Sequence, residues 1–128
     1  MRGNADFSYT LLESVAAESY SAGAENGVAV DHTLYPTVSF FITVGTVGSS
    51  ATVDMKVQYS ADNSTWTDEP DTTRGNDTAI TQITAAGTAQ LNVPNPRARY
   101  SRVVVTVATA ACVLAVVAAA GPNRHVAA

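Results

Sequence analysis

The stretch from Val103 to Ala120 carries no charge and, as a helix, would be long enough to cross a bilayer. A chain with such a run must give it to lipid or bury it in its own core. Its composition decides between the two. Val and Ala dominate it, beside one Leu, two Thr and Cys112, with no Ile or Phe. Alanine contributes little to membrane insertion, whereas valine favours extended backbone. The run also divides. Tyr100–Ala108 reads as a strand, Thr109-Ala110-Ala111 as a turn and Cys112–Ala119 as a second strand. A buried β-hairpin is expected, with no membrane association.

The other segments read the same way. In Thr52–Ser60, Val53, Met55, Val57 and Tyr59 alternate with Thr52, Asp54, Lys56 and Gln58. That is the period of a strand with one face on a core and one on solvent. Ala61-Asp62-Asn63-Ser64 is a turn, since Asp and Asn tolerate left-handed backbone and bond their own main chain. Thr65-Trp66-Thr67 starts the return strand. Val28–His32, Thr37–Val44, Thr78–Thr84 and Ala89–Val93 are further strand candidates. Pro94-Asn95-Pro96 interrupts helix and ladder alike. Tyr9–Glu18 stays open: Leu12, Val15 and Ala16 suit a short helix, but a strand fits too. Residues 1–27 are therefore expected as a poorly patterned arm or short helix, Ser19–Gly27 as a loop, and 121–128 as a tail after Gly121-Pro122. The sum is a single all-β domain, an antiparallel sandwich or jelly roll of about seven or eight short strands.

Composition narrows the function. Hydrophobic residues make up 46% of the chain and charged residues only 14%. Such a neutral surface of Thr, Ser, Asn, Ala and Gly suits burial against neighbours. The net charge of −4 argues against nucleic acid as a partner. All eleven acids lie at or before Asp77, whereas Arg97, Arg99, Arg102 and Arg124 follow it. Either copies dock head to tail, or interleaved strands cancel the asymmetry. Cys112 has no partner for a disulfide, and the first residues lack the apolar core of a signal peptide, as expected of a chain kept in a reducing cytoplasm.

No catalytic constellation is legible, so neither enzyme activity nor a cofactor is expected. His32 and His125 have no partners at metal-binding spacing. Cys112 sits in an apolar strand and reads as a small buried hydrophobe. Asp62, Asp68, Glu69, Asp71 and Asp77 crowd the loops, where calcium is an alternative to plain solvation, although the spacing is not that of an EF-hand. Trp66 reads as a core side chain, with sugar stacking as the alternative. Arg97, Arg99 and Arg102 surround Tyr100 and are the candidates for contact with a partner protein.

From Thr52 to Gly121 the chain strings together Val-Gln-Tyr-Ser, Asp-Asn-Ser-Thr-Trp, an acidic loop, Ala-Ala-Gly-Thr and Val-Pro-Asn-Pro. Arg-Tyr-x-Arg-Val-Val and a Val/Ala strand ending in Gly-Pro follow. This resembles small virion proteins of tailed bacteriophages, in particular capsid cement (decoration) proteins with sandwich or jelly-roll folds. The resemblance implies a structural protein of the virion, made in the host cytoplasm, that binds the major capsid protein and copies of itself on the shell. Head-tail adaptors and tail components fit the same pattern, and a carbohydrate- or receptor-binding module for host attachment is the competing expectation.

Overall fold

In a computed structural model, the backbone is described over residues 6–125 and the side chains over residues 9–122. Within these bounds the chain forms β1 (Asp6–Tyr20), β2 (Gly23–Asn26), β3 (Val30–Asp31), β4 (Thr37–Val47) and β5 (Thr52–Ser60), then β6 (Thr67–Asp68), β7 (Gly87–Val93), β8 (Tyr100–Ala108) and β9 (Cys112–His125). One sheet, here sheet A, has the order β1-β9-β4-β7. The other, sheet B, has the order β2-β8-β5-β6, with β3 also on β8. All ladders between strands are antiparallel.

The connectivity follows one rule. Counted from the ends inward, β1 pairs with β9, β2 with β8, β4 with β7 and β5 with β6. A long double strand paired this way and rolled up brings β9 beside β4 and β8 beside β5, the remaining main ladders. That wrapping is the jelly roll, one of the two architectures expected.

The core lies between the sheets. Val38, Phe40, Ile42 and Val44 of β4 point inward with Leu91 and Val93 of β7 and Leu114, Val116, Ala118 and Ala120 of β9. They meet Val53, Met55 and Val57 of β5 and Val103, Val105 and Val107 of β8. Each larger side chain buried this way contributes about 1.5–3 kcal/mol from its apolar area. The alternation expected in β5 is present, with Thr52, Asp54, Lys56 and Gln58 on the outer side, although Tyr59 is half-buried.

Several expectations need correction. Residues 1–27 are neither arm nor helix where described: β1 is a long strand, and β2 lies within the segment read as a loop. The helical spacing of Leu12 and Val15 has another cause. Register shifts fall between Glu13 and Val15 and between Val15 and Glu18, so an irregular strand presents both side chains to the core. The apolar run does form two strands around residues 109–111, but they are not a hairpin. β8 belongs to sheet B and β9 to sheet A, so the turn is an arch between layers. Nor does Gly121-Pro122 end regular structure, because β9 continues to His125. The rest of the expected tail, 126–128, lies outside the described residues. Thr78–Thr84, expected as a strand, follows β5 through isolated bridges at Ala79 and Ile83 and backbone hydrogen bonds of Thr78 with Val57 and of Ile80 with Met55, without forming a continuous strand.

Candidate functional site

The three arginines lie together at the start of β8, and each has a partner within the chain. Arg97 donates to Glu69, whose side chain is 1% exposed, and to Asp71 at 3.1 Å. Arg99 forms a two-pronged pair with Asp31, at 3.1 Å through Nε and 2.9 Å through Nη2, and its guanidinium lies 4.9 Å from the Tyr100 ring centre. Bonding from Arg99, aided by Thr33, holds the Asp31 carboxyl far below the usual carboxylate range. Arg102 donates to Gln58 at 2.9 Å and lies 4.2 Å over the Trp66 ring, and burial lowers its pKa. All three guanidiniums thus brace the loops of sheet B. Arg99, half exposed, remains the most accessible of them to a partner. Trp66 is half-buried beneath Arg102 rather than in the core, so the core expectation for it fails.

The acidic loop residues are likewise distributed among separate partners. Asp62 accepts from the backbone N–H groups of Thr65 and Ser64 and from the Ser60 hydroxyl, which lowers its pKa and closes the turn at Asn63 (φ 60°). Asp68 is lowered by Gln58 and Lys56, and Asp71 chiefly by Thr73. Asp77 covers the edge of β7, exchanging bonds with the Asn92 backbone at 2.8 and 2.9 Å. Among the described residues no three of His, Cys, Asp and Glu come together as a metal site. The sequence asymmetry in charge is reduced in space, because Arg97 and Arg99 pair with acids from the first half.

His32 and Ser101 form a further polar pair. The Tyr35 carbonyl, 2.8 Å from Nδ1, can only accept, so Nδ1 carries the proton and Nε2 accepts from the Ser101 hydroxyl at 2.8 Å. A serine–histidine bond is the start of a nucleophile. Here Ser101 is 1% exposed, so the bond serves to tie the Asp31–Tyr35 turn to β8. Burial lowers the His32 pKa. Cys112 is buried and free, the small hydrophobe expected.

The outer faces of the two sheets differ in a way the sequence conceals. Sheet B presents Asp54, Lys56, Gln58, Asp68 and Arg102, tied down by the Lys56–Asp68 ion pair and by hydrogen bonds of Gln58 with Asp68 and Arg102 and of Gln82 with Asp54. Sheet A presents three cross-strand rows instead. One runs Leu11, Ala119, Ser39, Asn92. The next runs Glu13, Val117, Phe41, Gln90. In the third, Ala115, Thr43 and Thr88 lie in register. Val113 extends the apolar strip along β9. Leu11, Phe41, Val113 and Val117 are all substantially exposed, and Glu13 is the charged residue in these rows. Clustered apolar side chains on an outer face mark an interaction surface more often than isolated ones do.

No family model matches the chain, and no curated protein was found as a relative. Among the described residues no helix is long and apolar enough to cross a membrane.

Proposed function

We propose that this chain is a virion structural protein of a tailed bacteriophage, one that binds the capsid shell and stabilises it as a cement (decoration) protein. The observation that carries this reading is the contrast between the outer faces. One is laced with hydrogen bonds and the Lys56–Asp68 ion pair, while the other exposes Leu11, Phe41, Val113 and Val117 with Glu13 as the charge in their rows. A shell-binding protein acts through area and repetition, because many modest contacts repeated over a symmetric lattice add up through multivalency. The jelly roll is a frame shared by capsid and lectin domains, so it leaves two functions in play. For attachment to sugars, the aromatic faces of Trp66 and Tyr100 are approached by Arg102 and Arg99 rather than open to a ring. The hollow beside the Ser60–Trp66 turn, about 240 Å³ and lined by Tyr59, Asp62 and Thr65, is what supports that second reading.

The test is to compare phage heads assembled with and without the protein. The cement reading expects release of packaged DNA at a higher temperature when the protein is present. Identical release temperatures would reject it, and binding of the isolated chain to host glycans would favour attachment.

A further inference from the structure

We infer that the outer face of sheet A is a self-association surface, on which a second copy of the chain packs sheet to sheet about a twofold axis. The inference rests on the reading of this face as an interaction surface and names its occupant.

Relief comes first. The row holding Val117 and Phe41 stands as a ridge, because both neighbouring rows carry small side chains at the same strands: Ala119 and Ser39 on one side, Ala115 and Thr43 on the other. Same-face rows are two residues apart, about 7 Å. A twofold axis that sets two such faces together, displaced by about one row, lays each ridge in the other's trough. A ridge flanked by troughs of the same spacing is its own complement, which is what an isologous contact requires.

Charge is the second argument. Glu13 is the lone carboxylate in the rows and sits at their β1 end. Two copies can therefore meet without stacking like charges at the centre. A partner selected electrostatically would find its matching groups on sheet B instead, where Asp54, Lys56, Asp68 and Arg102 lie.

The third argument is area. Four strands spaced by about 4.8 Å, over about eight residues each, cover roughly 500 Å² per copy and about 1,000 Å² for the pair. That reaches the lower bound of a specific interface. Sheets already stack about 10 Å apart within sandwiches, so the added contact repeats the packing inside each domain.

The experiment is sedimentation velocity on the purified full chain from about 1 to 100 µM. A reversible dimer is expected. Val117→Lys places a charge on the ridge in both copies, and at a tenfold cost for each copy Kd rises about a hundredfold. Thr43→Lys, in the trough, acts in the same direction should Val117→Lys fold poorly. Thr106→Lys on the exposed outer face of sheet B leaves Kd unchanged. A wild-type chain that stays monomeric to 100 µM overturns the inference, as does a dimer weakened equally by Thr106→Lys. Head binding is measured separately. A monomer that still binds and stabilises heads, and loses binding on Val117→Lys, assigns the face to capsid protein and overturns only this inference. A dimer that leaves heads unchanged supports it and rejects the cement role instead.

Discussion

Phe40 and Phe41 are identical neighbours on one strand with opposite surroundings, which makes them a sharp test of the register. Phe40 is fully buried and pairs across to Leu91 and Ala118, both buried. Phe41 points outward and remains 40% exposed beside Val117 and Gln90. Phe40→Ala removes a whole ring from a close-packed layer and leaves a cavity, at a cost of about 3–5 kcal/mol. A domain of this kind has about 5–15 kcal/mol in total, so a large share is lost. With a urea m-value of about 2 kcal/mol/M, the midpoint falls by about 2 M. Phe41→Ala gives up partial contacts only and costs about 1 kcal/mol or less, a midpoint shift of roughly 0.5 M or less. Urea unfolding followed by circular dichroism and by Trp66 fluorescence, at low micromolar chain so that association does not contribute, measures both. Unchanged m-values show that native stability alone has moved. Equal shifts, or a larger one for Phe41→Ala, would mean that β4 is assigned one residue out of register and that the apolar outer face is misplaced with it.

Three further outcomes are expected. Arg97→Ala strands the buried Glu69 carboxylate and lowers the melting temperature more than Arg99→Ala, whose partner Asp31 keeps its bonds from Thr33; equal losses in thermal melts would remove the buried-pair argument. His32 is held below its ordinary 6.5 by burial, so below about pH 6.5 the unfolded chain binds more protons than the folded one. Stability from this group is complete above that pH and falls on acidification, and His32→Gln should flatten the slope of unfolding free energy between pH 7 and 5.5. A Cβ at Gly27 would overlap the Ser14 hydroxyl, a buried group with no hydrogen-bond partner, and would come within 3.1 Å of the Val103 carbonyl. Gly27→Ala should therefore destabilise, Ser14→Ala should be neutral or stabilising, and the double variant should recover part of the loss; strictly additive denaturation energies would show that the two sites do not meet.

Sequence alone determined what depends on near neighbours. The alternation in Thr52–Ser60, the turn chemistry of Asp62 and Asn63, and the division of the apolar run at Thr109–Ala111 each rest on residues two to four apart, and each is present. Those local signals also carried the all-β class. Tertiary structure decided whatever depends on which strands meet. In β9 every residue from Val113 to Ala120 is apolar, so no alternation tells the buried Val116 from the exposed Val117; only pairing with β4 does so. The same holds for Phe40 and Phe41. In β1 the bulges broke the period of two and imitated a helix. The arginines looked available because Asp31 and Glu69 lie far from them along the chain, 68 residues for Arg99 and 28 for Arg97. The nested pairing of the jelly roll sets early strands against late ones, and so it brings the acidic first half of the chain onto the basic second half. That wrapping arises from burial of both sheets at once, a property that no window of the sequence contains.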